Sequence, residues 1–378
     1  MSQSSSSSSS SFSPVSRRRF LQSASVAAAA MAIAPHARGQ DQSNKKVGFA
    51  IVGLGRFGAG QLLRSMPECK VAYPAALVSG HPEKAKELAQ KYGVKESSIY
   101  SYENFDKIAA NKEVDVVYVV LPNSMHHEFT IRAAKAGKHV MCEKPMANTA
   151  KECEEMIAAC KAANKKLNIG YRLQYEPTHM RAIEMVQKKE FGLPRVIESV
   201  HSFNIGPNEW RTDKKLAGGG PVMDLGVYCI NACRYLSGEE PTHVNALTYQ
   251  PTDDPRFTTT EAQMVFNMKF KSGLLAYCST SYAHHSVGRF HVMAEQAEIT
   301  MNPAFSYGGL KLHVRGRKGE QDIDVQQGNQ FVAEMDHYAA CVRDNKDPRT
   351  PGEEGLRDMK VIEALYKSAE SGKTVEVA

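Results

Sequence analysis

The tripeptide Glu143-Lys144-Pro145 stands at the end of a short apolar run, His139-Val140-Met141-Cys142. The proline keeps Lys144 out of helical geometry, and the bond joining the two is of the rare kind that can be cis. Either way the lysine is held on a sharp bend, where its ammonium can donate to a ribose or a substrate hydroxyl. Farther along, Asp224 and Tyr228 lie four residues apart, just after the glycines Gly218 to Gly220. Four residues make about one helical turn, so the two side chains would share a face. A phenol can take the proton of a hydroxyl when positive charge nearby stabilises the phenolate. Lys144 is a cation able to supply that charge, and Asp224 could orient the lysine or the hydroxyl. The residues alone also fit Tyr228 as a core tyrosine. Three successive glycines would let the backbone approach a ligand closely.

The elements that must position these groups begin with Val47-Gly48-Phe49-Ala50-Ile51-Val52, an unbroken apolar run that reads as a fully buried strand. Gly53-Leu54-Gly55-Arg56-Phe57-Gly58 follows at once, and helix-like sequence continues through Leu62, Leu63 and Met66 to Pro67. GxGxxG between a buried strand and a helix is the context in which the motif binds dinucleotides. Gly53 permits the tight turn, Gly55 lets the backbone approach a pyrophosphate, and Gly58 lets helix and strand pack closely. The helix start supplies N–H donors and partial positive charge to phosphate.

A second strand, Val71 to Val78, leads into Ser79-Gly80-His81-Pro82-Glu83-Lys84. An NAD site normally carries an acidic residue here to accept from the ribose 2′-hydroxyl. None lies between Lys70 and Pro82; instead there is a hydroxyl at Ser79, with cations at Lys84 and Arg56. That set welcomes a 2′-phosphate and favours NADP over NAD, although Lys84 also fits a solvated helix position. A third strand, Val114 to Leu121, ends in Pro122-Asn123-Ser124-Met125-His126 and is followed by helix-like sequence to Gly137; a fourth is His139 to Cys142. The carboxyl ends of parallel strands are where such sheets bind ligands. Leu121, Asn123, His126, Glu143 and Lys144 therefore join Gly53, Leu54, Gly55, Arg56, Phe57, Gly58, Ser79 and Lys84 as candidate cofactor contacts. His126 reads equally well as a structural histidine.

After Gly170-Tyr171-Arg172 the pattern changes. Residues 195–205, 243–250, 262–271, 273–283, 289–295 and 310–315 alternate apolar and polar, as strands with one buried face do. Lys271-Ser272-Gly273 reads as a hairpin turn, and amphipathic helices are expected over Phe331–Arg343 and Glu353–Ser371.

The chain has 378 residues, 42% of them hydrophobic, and a net charge of +6. That length suggests about two domains. Residues 1–40 hold four arginines and no acid, leaving +2 for the remainder, a balance that argues against a nucleic-acid footprint. The eight cysteines include no CxxC pair, and Cys229 and Cys233, four apart, read best as small buried residues on one helical face. No metal cluster is evident, since His284 and His285 are adjacent. Near the start, a serine run from Ser4 to Ser11 precedes Ser16-Arg17-Arg18-Arg19-Phe20-Leu21-Gln22, and then an alanine-rich stretch, Ser23 to Ala34. This resembles a twin-arginine export signal over residues 1–39, and the stretch is too short and mild for a membrane anchor. The expected partner is the twin-arginine machinery and the expected place the periplasm. Export of a folded chain is compatible with a bound cofactor and with free cysteines.

The segments AIVGLG, ALVSGHPEKAK, LPNSMH, AGKHVMCEKPMA, KAANKKLNIGYR, LAGGGPVMDLGVYCIN and TPGEEG resemble the Gfo/Idh/MocA family, and within it the bacterial glucose–fructose oxidoreductases, over roughly residues 46–376. The resemblance implies an α/β Rossmann nucleotide-binding domain (residues 45–168) followed by an α+β C-terminal domain (169–378) whose large, mostly antiparallel sheet also mediates homo-oligomerisation. It implies a reaction centre of Lys144, Asp224 and Tyr228, and supports Ser79 and Lys84 as contacts to a 2′-phosphate. Arg172 joins the cofactor contacts, and Tyr171, Trp210, Arg211 and Tyr307 are candidates to line a sugar pocket. The implied activity is oxidation of an aldose to a lactone, with the hydride passed through tightly bound NADP to a second sugar. Alternatives are a nucleotide-dependent glycosidase of the same family or a non-catalytic nucleotide and sugar sensor. Two departures stand out. Only about six residues separate Gly39 from the first strand, where the glucose–fructose enzymes carry a long arm that helps retain the nucleotide. Residues 201–215 match those enzymes poorly except at Trp210-Arg211.

Overall fold

The structure, a computed structural model, describes residues 45–317 and 319–377; the expected export signal lies outside the described residues. Strand β1 (Val47–Val52) is buried along its whole length. It pairs in parallel with β2 (Ala72–Val78) on one side and β4 (Val116–Val119) on the other. A two-residue strand, β3 (Ile99–Tyr100), extends the sheet beyond β2, and β5 (His139–Glu143) and β6 (Leu167–Gly170) extend it beyond β4. The order is β3-β2-β1-β4-β5-β6, all parallel. Strand order reverses at β1/β4, and the crevice outside the carboxyl ends of those two strands is where such sheets place a ligand.

The second sheet has nine strands in the order β14-β13-β12-β11-β7-β10-β9-β8-β15. They are β7 (Pro194–Ser202), β8 (Pro241–Tyr249), β9 (Gln263–Phe270), β10 (Leu275–Ser281), β11 (Val287–Ala294), β12 (Ala297–Met301), β13 (Leu312–Gly316), β14 (Gly319–Ile323) and β15 (Val375–Glu376). Every pairing is antiparallel except β7 with β10. Alternation sets the faces: on β9, Met264, Phe266, Met268 and Phe270 point into the core, while Val265 points out. The expected turn at Lys271-Ser272-Gly273 closes β9 onto β10, with Gly273 at φ +91° donating to the Phe270 carbonyl.

The domain limits read from sequence need adjustment. Strand β6 runs to Gly170, so a boundary at 168 cuts the first sheet. The helix Gln330–Arg343, capped by Asn329, also returns to that sheet. Its Phe331, Met335, Tyr338 and Ala339 share a core with Val47, Phe49 and Ile51 of β1. Periodicity announces such a helix but does not say which sheet it covers.

The helices Val227–Ser237 and Gly352–Ser371 are joined by a buried ion network. Arg234 binds Asp358 at 2.6 Å, Glu240 at 2.6 Å and Glu354 at 3.0 Å, and the Tyr171 hydroxyl donates to the other Asp358 oxygen at 2.6 Å. Asp358→Ala leaves Arg234 with Glu240 and Glu354 but takes the acceptor from the buried Tyr171 hydroxyl, at an expected cost of about 1–3 kcal/mol. Thermal and denaturant unfolding check this; a loss below about 1 kcal/mol would mean the network behaves like a surface pair. Among the described residues no helix is long and apolar enough to cross a membrane. All eight cysteines are free and buried, Cys229 and Cys233 among them.

Candidate active site

After β1, Gly53 takes φ +101° and its N–H donates to the Val78 carbonyl at 3.0 Å. A Cβ on Gly53 would lie 2.2 Å from the Val120 carbonyl oxygen, and one on Gly58 only 2.1 Å from the Gly53 oxygen. Those two glycines are demanded by the protein's own packing. Gly55 is different: a Cβ there meets nothing within 4 Å. It faces open space at the start of the helix, the place a phosphate group needs, so the residues present fit a dinucleotide. Leu54 is buried beneath the turn, and the Phe57 ring packs 5.6 Å from Phe331 and 6.4 Å from Tyr307. Gly55→Ala is expected to keep the melting temperature yet weaken NADP binding by at least about tenfold, or 1.4 kcal/mol. Gly58→Ala is expected to lose both. Calorimetric titration beside thermal melts separates the two, and a Gly55→Ala protein that binds as tightly as wild type would contradict the assignment.

At the end of β2, Ser79 is buried and its hydroxyl accepts from the His81 N–H at 3.0 Å. Lys84 stands exposed on the first turn of the helix Pro82–Tyr92. Arg56, expected to face phosphate freely, instead donates to both carboxylate oxygens of Glu209. With the arginine side chain 81% exposed, the pair is weak and a phosphate can compete for the guanidinium.

Three of the expected cofactor contacts also have partners within the protein. The His126 ring, buried, lies with Nε2 2.9 Å from the Leu121 carbonyl and Nδ1 2.9 Å from the Pro145 carbonyl. Burial lowers its pKa against the pull of those two oxygens. His126 thus ties the end of β4 to the cis Lys144–Pro145 bend. Asn123 donates to the Ala217 carbonyl at 2.9 Å, fastening the same loop to the short helix Lys214–Ala217. Glu143 accepts from the Tyr118 hydroxyl at 2.6 Å, and burial raises its pKa against that hydrogen bond and the nearby Lys144. All three hold the bend on which the lysine rides.

Lys144 reaches across to the second domain. Its Nζ donates to the Asp224 carbonyl and to Asp224 Oδ1, both at 2.9 Å, and lies 4.4 Å from the centre of the Tyr228 ring. Burial works against the ammonium, yet the Asp224 carboxylate outweighs it and holds the lysine pKa above its ordinary value. Asp224 Oδ2 accepts from Arg211 Nε at 3.0 Å and from the Tyr282 hydroxyl at 2.8 Å. Burial alone would raise the Asp224 pKa, but Lys144 and Arg211 pull it well below the carboxylate range. Asp224 therefore remains an anion, bonded to Lys144.

Tyr228 receives a hydrogen bond on its hydroxyl from Arg172 Nε at 3.2 Å. Arg172 is a positioning residue: it also binds the Phe305 carbonyl at 2.7 Å, the Ser306 carbonyl at 3.4 Å and the Gln330 side chain. The residue expected among the cofactor contacts thus touches the tyrosine itself. Its guanidinium lies 4.8 Å from the Tyr307 ring centre, and Tyr307 is half exposed at the cleft.

Two further expectations are corrected. Tyr171 does not line the site: it is buried and its hydroxyl is committed to Asp358. Gly218 to Gly220 press against protein rather than ligand. A Cβ on them would meet Asn148, the Tyr366 hydroxyl and Glu261 at 2.6, 1.9 and 2.3 Å, and Gly220 N–H donates to the Glu261 carboxylate. Arg211 reaches the Asp224 carboxylate, with Trp210 stacked on it at 4.5 Å. Sequence reasoning missed Tyr282 and His201, which packs edge-on against Tyr228 with centroids 5.4 Å apart. Both sit at strand ends where alternation marks a face but not a partner.

The model of an oxidoreductase family with an NAD-binding Rossmann fold matches residues 47–171, and the model of the same family's C-terminal domain matches residues 179–300. An aldose–aldose oxidoreductase from Caulobacter crescentus, solved with glycerol, is 44% identical, with a TM-score of 0.86 over 88% of this chain and 100% of that one. The D-xylose 1-dehydrogenase [NADP(+)] of Haloarcula marismortui is 28% identical over 344 residues, 89% of this chain and 95% of that protein. A 3-ketoreductase from Actinomadura kijaniata, solved with NADP, is 20% identical with a TM-score of 0.78 over 86% of this chain and 98% of that one, a likeness of fold. With both domains matched, over residues 47–171 and 179–300, the chain belongs to the Gfo/Idh/MocA family of oxidoreductases.

Proposed function

We propose that the protein oxidises the anomeric hydroxyl of an aldose to a lactone with NADP, and that a second sugar takes the hydride back. The observation that carries the reading is the convergence of Lys144, Asp224 and Tyr228, with the lysine leaving the same carboxyl end of the parallel sheet as the Gly53–Gly58 turn. The turn would hold the pyrophosphate, and Ser79 and Lys84 the 2′-phosphate, with no acidic residue between Lys70 and Pro82. When bound, NADP supplies the hydride acceptor at C4 of its nicotinamide. The protein handles the proton. Tyr228 takes it from the substrate oxygen as the hydride leaves carbon. Arg172 Nε on the phenol oxygen and the Lys144 ammonium over the ring stabilise the phenolate that accepts it. The kinship with an aldose–aldose oxidoreductase and an NADP-dependent xylose dehydrogenase supports both the substrate class and the cofactor.

The reading extends to location and assembly. The twin-arginine motif supports export to the periplasm, where free NADP is scarce and a second sugar is a ready hydride acceptor. An outward apolar face on β8, β9 and β10, with Leu247, Val265 and Leu275 each at least half exposed, supports a homo-oligomer built on the large sheet. The test is to add single aldoses to the protein loaded with NADP and follow the reduced-nicotinamide absorbance. One aldose should raise it and a second sugar should lower it again. Cleavage of a glycoside with no second sugar required would favour a glycosidase, and no response to any sugar would exclude both.

A further inference from the structure

His201 ends the inner face of β7, opposite Gly288 of β11 and Thr280 of β10. A Cβ on Gly288 would come within 3.4 Å of His201 Nδ1, so the glycine leaves the imidazole room against the sheet. The ring sits edge-on to Tyr228 at 5.4 Å and to Phe305 at 4.8 Å. Its Nδ1 lies 3.3 Å from the Val287 carbonyl oxygen. A carbonyl only accepts, so Nδ1 carries the hydrogen, and Nε2 of the neutral ring is left with a lone pair. Burial lowers the imidazole pKa to about 4; the Val287 carbonyl and Asp224 oppose this, and Lys144 and Arg172 add to it. The ring therefore stays a neutral acceptor at ordinary pH.

The cationic groups nearby are of the other kind. Lys144 and Arg172 and Arg211 are donors only. Asp224 already receives Lys144 on one oxygen and Arg211 and Tyr282 on the other. A sugar hydroxyl both donates and accepts, and a pocket of donors leaves its proton unmatched. We propose that His201 Nε2 accepts from the hydroxyl next to the one oxidised at Tyr228, which for an anomeric oxidation is the 2-hydroxyl, and so makes that hydroxyl a requirement of the substrate. This rests on the sugar-oxidising reading above.

The experiment pairs D-glucose with 2-deoxy-D-glucose and D-ribose with 2-deoxy-D-ribose, and measures kcat/KM for nucleotide reduction with wild type, His201→Leu and His201→Gln. A site that loses a hydroxyl it was built to bond leaves its own polar group unpaired. The wild type should therefore prefer the parent sugar by about 10- to 100-fold. In His201→Leu the parent should fall to the level of the deoxy sugar, bringing the ratio near one, with NADP affinity unchanged. His201→Gln places an amide oxygen near the Nε2 position and should restore part of the preference. If the leucine variant fails to fold, His201→Asn, polar but a methylene shorter, takes its place. A parent-to-deoxy ratio unchanged from wild type in the folded variant overturns the assignment. If no parent sugar reduces the nucleotide, the reading of function falls and this inference with it.

Discussion

Tyr228→Phe should lower turnover by about 10²- to 10⁴-fold while NADP binds as before and the fold is kept. The phenylalanine ring can occupy the same place, so the packing on His201 and Phe305 and the Lys144 ammonium over the ring survive. Only the hydroxyl is lost. Arg172 gives up one acceptor but keeps the Phe305 and Ser306 carbonyls and Gln330, so the guanidinium is not stranded. What disappears is the hydroxyl proposed to take the proton from the substrate oxygen. Steady-state kinetics on a reducing aldose, beside calorimetric titration with NADP, give the two readouts. Retained turnover would remove Tyr228 from the chemistry and leave it the core tyrosine that its position on a helix also allows.

Lys144→Met should cost about 10²- to 10³-fold in kcat with a modest loss of stability. Methionine matches much of the lysine's length and apolar stem but brings no charge. The phenolate then loses the cation over its ring. Asp224 loses two hydrogen bonds from Nζ yet retains Arg211 Nε and the Tyr282 hydroxyl, so the buried carboxylate is still paired. The cost in stability should accordingly fall short of the about 3–5 kcal/mol that a fully stranded buried charge imposes. Asp224→Ala is the contrast, since it leaves Lys144 and Arg211 together without their shared anion. A Lys144→Met enzyme with near-normal kcat would mean that Arg172 alone stabilises the phenolate. Comparison of the two melting curves shows whether Asp224 is the hub of the site.

The parts legible in the sequence are those written in local patterns. An unbroken apolar run, a glycine turn and a helix announced the first strand and its ligand-binding end. Period-two alternation found most strands of the large sheet, and period-3.6 patterning found the two last helices. Strands of two to five residues, such as β3, β14 and β15, carry too few positions for a period to show. The reaction centre was legible only as residue types on separate segments. Lys144 and Asp224 are 80 positions apart, and nothing local says that Nζ ends on the carboxylate. Several residues singled out for ligand contact have partners inside the protein. Tyr171, His126, Asn123 and the glycines at 218–220 have residue types suited to ligands, but each finds its partner within the protein: Asp358, two carbonyls, the Ala217 carbonyl, and Glu261 with Tyr366. Arg56 shows the converse, a cation at the right turn whose bond to Glu209 depends on a loop 153 residues away.

The central claim is that a sugar carbon hands its hydride to a nucleotide bound at the Gly53–Gly58 turn while Tyr228 takes the proton. It is tested most directly with an aldose deuterated at C1, in a single turnover on the NADP-loaded protein, with the nucleotide then recovered and weighed by mass spectrometry. The account predicts reduced NADP carrying the deuterium in wild type and no labelled product in Tyr228→Phe over the same interval. Reduced nucleotide without the label, or label transferred equally well by the variant, would contradict it.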